Sequence, residues 1–126
     1  MDRQPIVTAA APAAIGPYSQ GISAGELVFV SGQTPLKADG TMISGSVAEQ
    51  TEQCLKNIQE VLRAAGLGMD RVVKTTVYMT DLGRFAEMNE VYARGFAAPF
   101  PARATVQVSA LPKGAAVEID AVAVRP

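Results

Sequence analysis

The sequence predicts a single domain of strands and helices, in which two helices cover one face of a β-sheet. Strand-like runs rich in β-branched residues alternate with two amphipathic segments, in the order β–α–β–α–β–β. Each amphipathic segment has one apolar stripe, so both helices should pack on the same face of the sheet. The 126 residues are one domain's worth of chain, and we assign residues 1–126 to that domain.

The first predicted strand covers residues 26–33, Glu-Leu-Val-Phe-Val-Ser-Gly-Gln, and has a glycine near its end. Residues 35–45 contain a proline and turn-forming glycines, which indicates a loop or a hairpin turn. The second predicted strand is the β-branched run 71–80.

The first helix lies between these two strands. Ser46 and Glu49 have the spacing of a capping box, which pairs two backbone N–H groups at the start of a helix. Gly66 is typical of the position where a helix ends. Residues at spacings of three and four predict one buried stripe, made of Ala48, Thr51, Leu55, Ile58, Leu62 and Ala65.

The second helix is predicted to begin after Asp81, which can cap it, and to end before Pro99 and Pro101. Its predicted inner face consists of Leu82, Phe85, Met88, Tyr92 and Phe96. With both helices on one face, the other face of the sheet needs a different cover. Only 18% of the residues are charged, against about 25% in an average domain, so we expect copies of the chain to associate.

The last two strands are predicted at residues 103–109, which alternate strictly, and at residues 117–124. The turn at 111–114 suggests that these strands pair antiparallel. In the register we predict, Glu118 lies opposite Gln107, on the same face as Arg103.

The composition excludes several classes of protein. The formal net charge is −1, so no basic surface exists to attract nucleic acid, and we expect no nucleic-acid partner. Histidine is absent, which removes the commonest general base and zinc ligand; we expect no zinc site and no histidine-dependent triad. The single cysteine, Cys54, cannot form an internal disulfide and is interpreted as a packing residue.

The amino-terminal region carries no targeting signal that we can identify. Residues 4–25 contain no charged residue, but prolines and polar side chains interrupt them, so we predict no membrane-spanning segment. The first residues also lack the leucine-rich core of a signal peptide. A lone thiol fits a reducing compartment, and we expect the protein in the cytoplasm.

Arg103 and Glu118 are the candidates for chemistry. Arg103 is the first residue of a predicted strand, among small and β-branched residues. In the structural interpretation it faces solvent or pairs with Asp120 or Glu118. In the functional interpretation its planar guanidinium group binds a substrate carboxylate through two hydrogen bonds. Glu118 forms a structural ion pair, or else it orients or activates a water molecule.

Four further positions have both a structural and a functional interpretation. Tyr18, in a compact turn, is a packed aromatic residue or a pocket residue. Ser31 and Gly32 end a strand, and the glycine permits either a bend or the close approach of a ligand. Asn89 lies on neither the polar nor the apolar face of its helix.

Five segments, in order and with matching spacings, resemble the RidA family of reactive intermediate deaminases, also called the YjgF type. These segments are Ala-Ala-Ile-Gly-Pro-Tyr-Ser-Gln-Gly at 13–21, Val-Ser-Gly-Gln at 30–33, Lys-Thr-Thr-Val-Tyr at 74–78, Phe-Pro-Ala-Arg-Ala-Thr-Val at 100–106 and Glu-Ile-Asp-Ala-Val-Ala-Val at 118–124. The resemblance covers nearly the whole chain.

The resemblance implies an α+β, chorismate-mutase-like domain, with two helices on one face of a mixed sheet. It also implies a homotrimer whose sheets form a central β-barrel, with active sites between subunits. The implied activity is the hydrolysis of 2-imino acids and their enamine tautomers, such as 2-aminoacrylate, 2-iminopropanoate and 2-iminobutanoate, to 2-keto acids and ammonia. Neither a metal nor another cofactor is implied.

The resemblance also implies roles for individual residues. Arg103 matches the arginine that binds the substrate carboxylate, and Glu118 matches the acid that positions the attacking water. Thr105 stands where many relatives have cysteine, so a redox role of that thiol would be lost here. The remaining matches to pocket positions are Tyr18, Ser31, Gly32 and Asn89.

Three alternatives to this function remain open from the sequence. The protein could bind small carboxylates or partner proteins without turnover, as a chaperone does. It could be a ribonuclease or translation inhibitor, although the absence of histidine and the net charge of −1 disfavour that function. It could also be a specialised deaminase, for example for 2-aminomuconate in the degradation of aromatic compounds.

Overall fold

The computed structural model describes residues 2–126. It contains six strands and two α-helices, with short 3-10 helices at Met69–Arg71, Leu82–Arg84 and Pro112–Gly114. In chain order the strands and α-helices are β1 (Arg3–Ile6), β2 (Gly21–Ala24), β3 (Leu27–Gln33), α1 (Val47–Ala64), β4 (Val72–Met79), α2 (Phe85–Arg94), β5 (Ala102–Gln107) and β6 (Val117–Val124).

All six strands form one mixed sheet in the order β1-β2-β3-β6-β4-β5. Only β4 and β5 run parallel, and α2 connects them. Both α-helices pack on one face of this sheet, as their single apolar stripes predict. The predicted arrangement of a mixed sheet with two helices on one face is therefore confirmed.

Helix α1 begins as the capping box predicts. The Ser46 hydroxyl accepts a hydrogen bond from the Glu49 N–H, and the Glu49 carboxylate accepts one from the Ser46 N–H, both at 3.2 Å. The centre of the predicted stripe, from Thr51 to Leu62, is buried against the sheet. Cys54 is also fully buried, so its interpretation as a packing residue holds.

Helix α2 is shorter than predicted. Asp81 caps the 3-10 turn that precedes it, accepting a hydrogen bond from the Gly83 N–H, and the α-helix starts only at Phe85. Leu82, predicted on the inner face, is 38% exposed in this turn. Met88 and Tyr92 are buried as predicted.

Strands β1 and β2 were not predicted, because neither has the β-branched, alternating pattern that marks longer strands. Each has four residues; β1 contains a proline at the edge of the sheet, and β2 starts at Gly21. A β-carbon at Gly21 would lie 2.9 Å from the Val61 side chain and 3.0 Å from the Phe29 carbonyl oxygen. The glycine therefore lets β2 pass close beneath α1.

The predicted pairing of the last two strands is wrong. Strand β6 does not pair with 103–109; it lies between β3 and β4, with Glu118 opposite Tyr78 rather than Gln107. The physical reason is burial. Every second residue of β6 from Val117 onward is buried beneath the helices, as a central strand requires, whereas β5 is mostly exposed and occupies the edge.

This topology also corrects the prediction that Arg103 and Glu118 share a face. Arg103 lies opposite Thr75, which is buried beneath the helices, so Arg103 projects on the helix side. Glu118 alternates with Val117 and Ile119, which face the helices, and therefore projects on the opposite, open face. That open face also carries exposed Leu27, Phe29 and Val106.

The described residues, 2–126, include no helix long and apolar enough to cross a membrane.

A buried glutamine fixes the loop that leads into β2. The Gln20 side chain is 4% exposed and accepts a hydrogen bond from the Thr8 N–H at 2.7 Å. Its amide group donates to the carbonyl oxygens of Thr8, Ala11 and Pro12 at 3.0, 3.3 and 2.8 Å. One side chain thus replaces the backbone pairing that this loop lacks.

We expect Gln20→Leu to lower the free energy of unfolding by about 1–3 kcal/mol, because it leaves these backbone groups unpaired at a partly buried site. Denaturant unfolding measures this change. Gln59→Leu, at an exposed position of α1, is the control and should have little effect. Equal effects of the two substitutions would contradict the role of Gln20.

Candidate active site

The first part of the candidate site is a pocket of about 480 Å³ at the start of β6. Tyr18, Gly32 and Glu118 line it, and they were predicted to be pocket residues. The rest of the wall comes from the loop before β2, from Gln33, Thr34 and Leu36, and from Pro112 and Lys113. Three predicted residues from distant parts of the sequence therefore meet here.

A bulge in β3 makes room for the Glu118 side chain. The pairing of β3 with β6 shifts between Val30 and Gln33, and Ser31 and Gly32 lie in the shifted segment. A β-carbon at Gly32 would collide with the Glu118 carboxylate oxygen Oε2. Glycine at position 32 thus lets the acid approach the backbone of β3, and a larger residue would require the Glu118 side chain to turn away.

Ser31 and Tyr18 connect the turn before β2 to this bulge. The Ser31 hydroxyl donates to the Ser19 carbonyl oxygen at 2.5 Å, and the Ser31 N–H donates to the Gln20 carbonyl oxygen at 3.0 Å. The Tyr18 hydroxyl accepts a hydrogen bond from the Ile15 N–H at 3.3 Å and can still donate one of its own. The Ser31 hydroxyl thus uses its proton in a contact with the backbone, whereas Tyr18 presents an exposed ring.

Glu118 is half-buried and has no cationic partner. The ion pairs in residues 2–126 are Arg63–Glu60, Arg84–Glu87 and Arg94–Glu90, all on helix surfaces. Burial raises the pKa of Glu118, and the negative charge of Asp120 raises it further. The carboxylate is consequently a better proton acceptor than an exposed glutamate would be.

The second part of the site surrounds Arg103, in a pocket of about 390 Å³ lined by Asn89, Tyr92, Phe100 and Pro101 among others. The Arg103 guanidinium carbon lies 4.7 Å from the centre of the Tyr92 ring and 5.4 Å from that of Phe85. Its Nη1 donates to the Asn89 side-chain oxygen at 2.7 Å. Cation–π contacts and one neutral hydrogen bond thus hold Arg103 while leaving its charge uncancelled.

Phe85 and Tyr92 were predicted only as packing residues of α2, and their contact with Arg103 was missed. The sequence feature that could have predicted this contact is the spacing of the two aromatic residues around Asn89. Phe85, Asn89 and Tyr92 recur at intervals of four and three, which places an amide between two aromatic rings on one helix face. The Tyr92 hydroxyl is in turn hydrogen-bonded to the buried Thr75 hydroxyl at 2.7 Å, which fixes the ring.

Thr105 lies two residues after Arg103 on β5, opposite Val77, and therefore on the same face as Arg103. It is half-buried. The alternative in which Arg103 forms an ion pair with Asp120 or Glu118 is wrong, since both carboxylates lie on the open face of the sheet, on a strand separated from β5 by β4.

The seven predicted site residues thus form two groups within one chain. Tyr18, Gly32 and Glu118 line the pocket of the open face, and Ser31 lies beside them in the bulge of β3. Asn89 and Arg103 line the pocket on the helix side, and Thr105 lies two residues after Arg103 on the same face of β5. The two groups do not meet in the single chain. No cluster of three His, Cys, Asp or Glu side chains that could hold a metal ion occurs within residues 2–126.

We expect Gly32→Ala to lower the free energy of unfolding by about 1 kcal/mol, because the new methyl group forces the Glu118 side chain out of its position. Adding Glu118→Ala to this variant should recover most of the loss, since it removes the collision partner. Glu118→Gln keeps the length of the side chain and should not recover it. Equal recovery by alanine and glutamine in denaturant unfolding would argue against the contact.

Comparisons with known proteins agree with the fold. The family described as "Endoribonuclease L-PSP" matches residues 8–125. A RutC family protein, y4sK from Sinorhizobium fredii, is 57% identical over 120 residues, covering 94% of this chain and 95% of its own. The human 2-iminobutanoate/2-iminopropanoate deaminase is 48% identical over 124 residues, covering 98% and 90%.

The crystal structure of the YjgF gene product from E. coli superposes with a TM-score of 0.93 at 44% identity, covering 98% of this chain and 99% of that one. The matched family region spans nearly the whole sequence, and the identities extend over whole chains. The chain therefore belongs to the YjgF/RidA family, as the five sequence segments indicated.

Proposed function

We propose that the protein is an imine deaminase that hydrolyses 2-imino acids and their enamine tautomers to 2-keto acids and ammonia. The observation that carries this proposal is Arg103, a cation held by two aromatic rings and one amide without a carboxylate partner. Relatives about 48% identical are named 2-iminobutanoate/2-iminopropanoate deaminases, which supports the same class of substrate.

Arg103 binds the substrate carboxylate in this proposal. One of its N–H groups is taken by Asn89, and the others can form paired hydrogen bonds with a carboxylate. Holding the carboxylate fixes the adjacent imine carbon in front of the nucleophile. Thr105, on the same side of β5, adds a polar contact at the base of the substrate.

A second copy of the chain supplies Glu118. Arg103 and Glu118 lie on opposite faces of the sheet, so a site that uses both residues needs two subunits. The exposed apolar residues of the open face support association through that face, and we propose a homotrimer with three intersubunit sites. Tyr18 and Gly32 then complete the wall of the pocket around Glu118.

The reaction needs only modest catalysis, because a protonated imine is already electrophilic. Water attacks the imine carbon while Glu118 accepts one of its protons, giving a carbinolamine. The nitrogen of the carbinolamine takes up a proton, the C–N bond breaks and ammonia leaves. The hydroxyl loses its proton as the carbonyl forms, so the products are a 2-keto acid and ammonia.

The test couples a threonine or serine dehydratase to a chemical trap that competes for the released imine. We expect the wild-type protein to reduce trapping and to accelerate the release of keto acid. Arg103→Ala should lower kcat/KM by about 100-fold or more, because the carboxylate loses its paired hydrogen bonds. Arg63→Ala, at an exposed position on α1, is the control and should behave like the wild type.

Two other outcomes would redirect the proposal. Without acceleration by the wild type, the protein would be a carboxylate-binding or partner-binding relative, or would act on an imine outside the assay, such as 2-aminomuconate. If the wild type and Arg103→Ala accelerate the release equally, the proposed reaction is supported, but the proposed role of Arg103 is wrong.

The shared site has a separate test. Arg103→Ala and Glu118→Gln chains are co-expressed with different affinity tags, and mixed assemblies are purified through both tags. In a cyclic trimer about one third of the sites of each mixed assembly regain both side chains, so activity returns to about a third of the wild-type rate. If both residues act from one chain, the mixed assemblies stay as inactive as the single variants.

A further inference from the structure

We propose that Asp120 is a positioning residue for Glu118: a negative charge, fixed by Tyr78 and Thr76, that keeps the neighbouring carboxylate basic enough to take a proton from water. This inference rests on the proposed function, in which Glu118 activates the water. Asp120 itself touches neither the substrate nor the water in this proposal.

The geometry holds Asp120 firmly beside Glu118. The two acids are two residues apart on β6, so their side chains project from the same face, roughly 7 Å apart along the strand. Strand β4 presents Thr76 opposite Asp120 and Tyr78 opposite Glu118. The Thr76 N–H donates to Asp120 Oδ1 at 3.2 Å, and the Tyr78 hydroxyl donates to Oδ2 at 3.0 Å.

The charge of Asp120 is not cancelled within the described chain. The nearby amine of Lys74 donates instead to the Thr75 carbonyl oxygen at 3.0 Å and to the Thr76 hydroxyl at 3.3 Å. Both oxygens of Asp120 have neutral donors, which satisfy a carboxylate without neutralising it. The negative charge therefore acts on Glu118, where it opposes a second negative charge.

Within one chain, no other group offsets this effect, whereas in the proposed assembly Arg103 of a second copy opposes it by favouring the ionised carboxylate. On β4, Tyr78 lies opposite Glu118 and Lys74 lies opposite Val122, further along the strand, while β3 contributes Gly32, which has no side chain. Burial raises the pKa of the Cys54 thiol on α1, and the charge of Glu118 raises it further, so this group stays neutral. Tyr18 and Lys113 lie on the pocket wall. Burial raises the pKa of Tyr78, and its hydrogen bond to Asp120 raises it further, so the tyrosine stays a neutral donor.

Burial and the charge of Asp120 act in the same direction on Glu118, and both raise its pKa. A carboxylate of this kind accepts a proton from the attacking water more readily and then carries that proton for the departing nitrogen. The ionised form is needed for attack, so the rate should fall as the pH drops through the pKa of Glu118. Without the negative charge of Asp120, this fall should occur at lower pH.

Asp120→Asn is the matched test. An asparagine oxygen can still accept from the Thr76 N–H, and its amide can donate to the Tyr78 oxygen, so the local structure should persist. We expect the acidic limb of the kcat/KM profile to move to lower pH and the maximal rate to fall several-fold, because Glu118 becomes a weaker base. Asp70→Asn removes an exposed carboxylate far from the pocket and should leave the profile unchanged.

A second measurement does not require activity. In protein labelled with carboxyl-¹³C glutamate, the Glu118 signal is identified by its absence in Glu118→Gln, and its titration is followed by NMR. The pH midpoint of the Glu118 titration should be lower in Asp120→Asn than in the wild type, and it should be unchanged in Asp70→Asn. Tyr78→Phe removes one of the two hydrogen bonds that fix Asp120 and should shift the midpoint of Glu118 by a smaller amount.

An unchanged Glu118 midpoint in both Asp120→Asn and Tyr78→Phe would overturn this inference, whatever the activity. If the midpoint shifts in these variants but the wild-type protein hydrolyses no imine, the coupling of the two carboxylates is supported and the proposed function is wrong. A shifted midpoint with an unshifted acidic limb would overturn the link between Asp120 and catalysis.

Discussion

The central position of β6 is the constraint on which the rest of the structure depends. One face of this strand is apolar and lies beneath both helices, while its other face carries Glu118 and Asp120. Because β3 and β4 pair with it on either side, the bulge of β3 meets Glu118 and the hydroxyl of Tyr78 meets Asp120. The same pairing leaves β5 at the edge, where Arg103 faces away from both acids.

Two opposite charges are thus kept apart, each without a counter-ion. The structure stabilises Arg103 with aromatic faces and one amide oxygen, and it leaves Glu118 half-buried at a pocket. An ion pair with a neighbouring side chain would stabilise Arg103 or Glu118 more simply. Such a pair would also occupy the group, so that it could no longer bind a substrate carboxylate or activate a water molecule. The proposed deaminase uses this separation, since assembly brings the two charges toward one substrate.

Sequence reasoning succeeded where signals are local. The capping box at Ser46 and the stripe of α1 depend on residues within one helix, and both are confirmed. The pairing of β6 depends instead on which distant strands compete for its two edges, and an alternating pattern does not encode that choice. The contact of Tyr92 with Arg103 was not predicted, because the spacing of Tyr92 indicates only that it faces the core. An aromatic residue at such a position can pack in the core and contact a cation at the same time.

The contact between Gly32 and Glu118 also limits how such a sequence can change over generations. As long as the long acidic side chain is present, any replacement of the glycine requires the Glu118 carboxylate to move aside, so a change at position 32 disturbs the orientation of the acid. If the acid is first shortened, the position opens and can drift. The two positions are therefore coupled, and a side chain at position 32 is best tolerated in a sequence whose residue at 118 is shorter than glutamate.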